Sequence, residues 1–192
     1  MKIIRELNWF KALLPILLLL TGCASQQTTY IDPNMDFGSV KTVAVMSFVG
    51  LTRDPVVAER VRDVFINKLL ATGAVYVIPV GEVARGTARA EISNPSALSP
   101  EEAIKLGGII KVQAVIIGTL REYGEVRSGT VSSNIISLSL QMIEAQTGKV
   151  VWTAASTKGG ISIWNRLFGG GGKPMNVVTE KAVDDLINSL LK

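Results

Sequence analysis

The sequence predicts an α/β fold: a mixed sheet covered by helices, with a βαβ-type first half, then an antiparallel meander and a C-terminal helix. Three observations carry this. Residues 41–49 contain Val43, Ala44, Val45, Met46 and Phe48, apolar on both faces as a strand buried between helices requires. Val57, Val61, Val64, Phe65 and Leu69 then recur at helical spacing. Further on, Ile136, Leu138, Leu140 and Met142 alternate with Ser137, Ser139 and Gln141, the period of a half-buried strand.

Each element follows from local chemistry. Asp54 is placed to cap the first long helix, with Pro55 in its first turn and Gly73 as its stop. Glu59, Arg60, Arg62 and Asp63 fall largely on its other, solvent side. Residues 75–78 read as a short buried strand. Residues 82–90 read as a helix weakened by Gly86 and Thr87, and 92–98, with Asn94-Pro95, as a loop. Ser99-Pro100-Glu101-Glu102 is a capping box, and its helix is expected to weaken at Gly107-Gly108. Residues 114–120 form a third apolar strand, followed by a polar turn near 124–129. Gln146-Thr147-Gly148 turns the half-buried strand into residues 149–158, which closes the meander. Pro174 opens a last helix whose buried face is Met175, Val178, Ala182, Leu186 and Leu190, widened by Val183, Ile187 and Leu191.

The N-terminus sets the location. Lys2, Arg5 and Lys11 precede a short apolar run, residues 13–20, broken only by Pro15. The run is too short for a spanning helix, which needs about 20 residues, and has the flanks of a secretory signal. Leu20-Thr21-Gly22-Cys23 then forms a lipobox, the cleavage and acylation signal of bacterial lipoproteins. The expected organisation is a signal peptide over 1–22, a lipidated tether over 23–38 and a periplasmic α/β domain over 39–192. Cys23 is the only cysteine; with lipid on it, no disulfide is available. Ala24, where inner-membrane lipoproteins usually carry Asp, implies sorting to the outer membrane. Residues 24–38 have no apolar period. As a fully stretched tether they would reach no more than ~55 Å, and as a coil about 20 Å.

The chain carries 20 basic and 16 acidic residues. Without residues 1–22, 17 basic and 15 acidic residues remain, a net of +2. No basic cluster interleaved with aromatics is left, so no nucleic acid is expected as a partner. The sequence has no histidine, which removes Ser-His-Asp triads, Cys-His pairs and His-based zinc sites. Glu101 and Glu102 read as helix-start residues, and Asp184 and Asp185 as a solvated face. Gly169 to Lys173 fails the phosphate-loop pattern, which needs glycine where Leu167 stands and Ser or Thr where Pro174 stands. The expectation is therefore no enzyme, no metal and no cofactor. The candidate contact stretch is residues 161–168. Ile163, Trp164, Leu167 and Phe168 are large apolar side chains in a loop, and Arg166 suits a headgroup or an acidic partner.

The segments together resemble a known family. Lys41-Thr42-Val43-Ala44-Val45 starts a strand before a long helix. Leu106-Gly107-Gly108 and Ala114-Val115-Ile116-Ile117-Gly118 follow, and the meander turns at Ala145-Gln146-Thr147-Gly148-Lys149-Val150-Val151-Trp152. Across residues 40–191 this resembles the bacterial lipoprotein superfamily that includes the curli-secretion (CsgG-like), penicillin-binding-protein activator (LpoB-like) and Pel polysaccharide export (PelC-like) lipoproteins. The resemblance implies a non-catalytic α/β domain in envelope assembly or export. It also implies a homo-oligomer, often a ring, that contacts other envelope proteins at the outer membrane. The curli-secretion members add long membrane hairpins, for which residues 123–142 leave little room. The export members use an aromatic residue near the membrane face, and Trp164 is its counterpart by position. Two alternatives stand beside an export ring: a monomeric activator or scaffold for a peptidoglycan-synthesis enzyme, and a carboxylate-based hydrolase.

Overall fold

The computed structural model describes residues 28–54, 56–161 and 172–191. In chain order these form β1 (Thr29–Ile31), β2 (Thr42–Val45), β3 (Val49–Gly50), α1 (Val56–Ala71), β4 (Tyr76–Val77), α2 (Val80–Arg89), α3 (Pro100–Ile110), β5 (Ala114–Ser128), β6 (Val131–Glu144), β7 (Val150–Gly159) and α4 (Met175–Leu190). The strands make one open mixed sheet in the order β1-β7-β6-β5-β2-β4, with β3 against the middle of β5. Strands β4, β2 and β5 run parallel; β5, β6, β7 and β1 run antiparallel.

Alternation along the strands builds two cores. Val43 and Val45 of β2, Ile116 and Leu120 of β5, Ile136 to Met142 of β6, and Trp152 of β7 lie beneath α1 and α4. Ala44, Met46 and Val115 point the other way, toward Val83 of α2 and Leu106 and Ile110 of α3. Strand β2 is apolar on both faces for this reason. The second face is polar over β6 and β7, where Thr157 Oγ1 donates to Ser137 Oγ at 3.0 Å. A bulge at Val151, between the Met142–Trp152 and Ile143–Val150 pairs, turns Val151 and Trp152 into one core.

Ser99 caps α3 as expected: its Oγ accepts from Glu102 N at 3.2 Å, and Glu102 Oε2 accepts from Ser99 N at 2.8 Å. Asp54 Oδ1 accepts from Val56 N at 3.0 Å at the start of α1.

Four expectations need correction. The stretch read as a tether supplies a strand: Thr29 pairs with Ala154 and Ile31 with Trp152, because the outer edge of β7 offers free backbone groups. Helix α3 does not yield at Gly107-Gly108 but runs to Ile110, ending at Lys111 in the left-handed region (φ +58). A Cβ on Gly107 would lie 2.4 Å from Ala145 Cβ, so that glycine is a close-packing residue within the helix. The polar turn is displaced to Gly129-Thr130, because Arg121 to Ser128 continue β5 in antiparallel pairing with β6. Gly129, at φ +60, is the first of two turn residues, where a type II′ hairpin places glycine. Finally, Arg62 is buried, 7% exposed, with its guanidinium 3.1 Å from Ser47 Oγ and 2.6 Å from Glu59 Oε2.

Candidate functional site

Cys23 and the contact candidates Ile163, Trp164, Arg166, Leu167 and Phe168 lie outside the described residues. The structure does fix the two ends of the connection that carries the last five. Strand β7 stops at Gly159 (φ +87), where a Cβ would fall 1.9 Å from Asn134 O. Left-handed backbone and close approach together demand glycine there. Gly160 N donates to Asn134 O at 2.9 Å. On the return, Gly172 N donates to Ser132 O at 3.3 Å, and Asn134 Nδ2 donates to Lys173 O at 2.8 Å. Both ends are thus held by two residues of β6, Ser132 and Asn134.

They are held along the projecting part of the β5–β6 hairpin, from Asn134 near its root to Ser132 beside its last pair. Pairing with β7 stops at Ile135–Gly159, whereas β5 and β6 stay paired to Ser128–Val131. The hairpin tip therefore projects about 10–15 Å beyond the last rung of β7. Its surface is charged. Arg127 pairs with Glu125 at 2.8 Å, and hydrogen bonds from Ser132 and then Arg127 hold the Glu125 carboxyl below the usual carboxylate range.

Basic side chains gather beside this root. Lys158, Lys173 and Lys181 line a depression of about 530 Å³ together with Ser133 and the carboxylates of Asp184 and Asp185. Lys173, just before α4, and Lys181, in its second turn, face each other, and the neighbouring ammonium lowers the pKa of Lys181. Asp184 and Asp185, expected on a solvated face, are part-exposed and form ion pairs. Asp185 pairs with Lys158 and accepts from Ser156 Oγ at 3.2 Å. Asp184 lies 2.8 Å from Lys68, which also reaches Glu180 at 3.6 Å. The hydrogen bond to Asp184 raises the Lys68 pKa above its ordinary value. This links α1 to α4. The depression thus holds three ammonium groups and two carboxylates. Among the described residues, no three Asp, Glu, Cys or His side chains converge on a metal position. Glu102 is committed to the capping box, and the first-turn backbone hydrogen bond lowers the Glu101 pKa.

A second feature escaped the sequence reading. At the other end of the α1–α4 layer lies an apolar cleft of about 540 Å³. Its walls come from the N-terminal segment, four strands and the ends of two helices. Only the sheet order brings them together, so no local pattern announces it.

No family model and no curated protein matches the sequence. Solved structures do share the fold. The PelC dodecamer from Paraburkholderia phytofirmans superposes with a TM-score of 0.55 at 18% identity, over 86% of this chain and 96% of that one. Lipoprotein GNA1162 from Neisseria meningitidis gives a TM-score of 0.56 at 18% identity, over 79% and 98%. The LpoB C-terminal domain from Escherichia coli is more distant, with a TM-score of 0.48 at 14% identity, over 77% and 93%.

Proposed function

We propose that this protein is an outer-membrane-anchored periplasmic lipoprotein that acts without catalysis in envelope assembly or export, as a ring of identical subunits. Lipid on Cys23 holds it to the membrane. Residues 163–168 contact the lipid surface or an envelope partner, with Trp164 and Phe168 as apolar anchors and Arg166 as the cation. The observation that carries this reading is the shared fold with the PelC dodecamer over nearly the whole of that chain. The hydrogen bonds that hold Gly160, Gly172 and Lys173 to β6 support it, because the connection carrying residues 163–168 leaves from and returns to one end of the domain.

The test is the mass of the full chain, extracted from membranes in mild detergent, by light scattering over a concentration series. A discrete oligomer is expected. A monomer at every concentration refutes the ring. Metabolic labelling with palmitate should mark the wild type and leave Cys23→Ala unlabelled; equal labelling refutes the anchor.

A further inference from the structure

Two side chains at the hairpin end of the domain carry charge that the described fold leaves unneutralised. Lys173 and Lys181 are exposed, and their ammonium groups face each other. Among the described residues neither forms an ion pair, whereas Lys158 pairs with Asp185 and Lys68 with Asp184. The first turn of α4 adds no acidic residue. Like charges held side by side repel, and an anion shared between them relieves the repulsion.

The N-terminal segment points to the same end. Strand β1 runs antiparallel to β7, so Thr28 lies at its end nearer Gly159, and Thr28 O accepts from Ala155 N. The stretch of strand from Ala155 to Gly159 spans about 13 Å. Cys23 precedes Thr28 by five residues, enough chain when extended to cover that distance.

We infer that this end of the domain docks on an anionic bilayer surface, with Lys173 and Lys181 taking the phosphate oxygens of lipid headgroups. The inference rests on Cys23 as the lipid anchor proposed above. A tether this short keeps the lysines at a high effective concentration of headgroups. Long, flexible stems let both ammonium groups reach a common plane. An ammonium binds phosphate as a point charge, without demanding one geometry. Each lysine near an anionic surface strengthens attachment roughly fivefold, so the pair should shift the ratio of docked to undocked domain by about 25-fold.

The test uses the full chain, lipidated in cells and carried in mild detergent into nanodiscs of phosphatidylcholine, with or without phosphatidylglycerol. With Cys23 acylated, an introduced cysteine is the only free thiol. A fluorophore is placed at Thr130→Cys, in the hairpin turn, or at Asn188→Cys, in the last turn of α4, both exposed and at opposite ends of the domain. A phospholipid with a nitroxide headgroup is the quencher. Quenching at position 130 should exceed that at 188, rise when phosphatidylglycerol is present, and lose that rise at about 1 M salt. Lys173→Gln with Lys181→Gln should abolish the rise. Arginine at both positions should keep it, and Lys149→Gln, at the other end of β7, should leave it unchanged. Circular dichroism confirms that each variant is folded.

Equal quenching at the two positions, no rise with phosphatidylglycerol, or a rise that survives loss of both lysines overturns the docking. So does a rise that Lys149→Gln removes equally well. Elution with pure phosphatidylcholine discs reads the anchor separately, and a chain that leaves them refutes the anchor. In that case retention by phosphatidylglycerol discs, lost with both lysines, supports the headgroup contact, and release from both kinds of disc overturns it.

Discussion

Two neighbouring glycines in α3 should respond oppositely to the same substitution. A glycine in a helix interior costs about 0.5–1 kcal/mol relative to alanine. At Gly108 nothing lies within 4 Å of a new Cβ. Gly108→Ala should therefore recover that energy and raise Tm by about 1–4 °C, on the scaling for domains of this size. At Gly107 the same gain meets a collision. The new Cβ would stand 2.4 Å from Ala145 Cβ, 3.3 Å from Val112 O and 3.4 Å from Ala145 Cα. A Cβ cannot rotate away, so backbone must shift, and overpacking of this kind costs about 1–3 kcal/mol. Gly107→Ala should be destabilising by roughly 0.5–2 kcal/mol, lowering Tm by about 1–8 °C. The assay is thermal unfolding of the full chain in mild detergent by circular dichroism. Adding Ala145→Gly to Gly107→Ala removes the colliding atom and should restore much of the loss. If both single variants shift Tm in the same direction, or Ala145→Gly brings no rescue, close packing is not why α3 carries glycine there.

Other predictions follow from individual contacts. Ser99→Ala removes the reciprocal cap of α3 and should cost about 1 kcal/mol in urea unfolding, with Ser99→Thr largely retaining it. Arg62→Met should stay within about 1 kcal/mol of wild type, since it removes a buried charge whose Nε has no hydrogen-bond partner along with its pairing; a loss several times larger would show that the Ser47 and Glu59 contacts outweigh its desolvation. The raised Lys68 pKa means that its stabilising link to α4 is fully present below the unfolded lysine value and is lost as pH rises through the folded one. The Tm difference between wild type and Lys68→Met should therefore shrink between pH ~9 and ~12; a constant difference would refute the linkage.

Elements whose cause is local were legible in the sequence. Apolar Val43 to Met46 and the alternation from Ile136 to Met142 dictate strands wherever they are placed, and Ser99 with Glu102 caps a helix without outside help. What stayed hidden depends on partners far along the chain. Thr29 to Ile31 is too short to show a period and is a strand only because β7 lies beside it. Arg121 to Ser128 are too polar to look like a strand, yet pairing with β6 extends β5 through them. Arg62 looked solvent-facing because its helix supplies Glu59, whereas Ser47 and the burying residues come from elsewhere. The apolar run at 161–168 was visible as composition. The anchorage of Gly160, Gly172 and Lys173 on Ser132 and Asn134 was not, because those contacts join residues roughly 25 to 40 positions apart. The cleft at Trp152 was least legible, being a gap between elements rather than a property of any one.

Strand β1 also changes how the domain stands above its support. Backbone hydrogen bonds hold the chain to β7 from Thr28, through its carbonyl, to Asp32, through its amide. With Cys23 as the proposed anchor, the leash is then five residues long instead of fifteen. Its greatest span falls to about 17 Å, less than the width of the domain it holds. Strand β1 thereby acts as a hitch. On the proposed anchor it would limit the height of the domain and turn the β1 edge of the sheet toward the bilayer, so residues inserted before Thr28 should raise the domain without disturbing its fold.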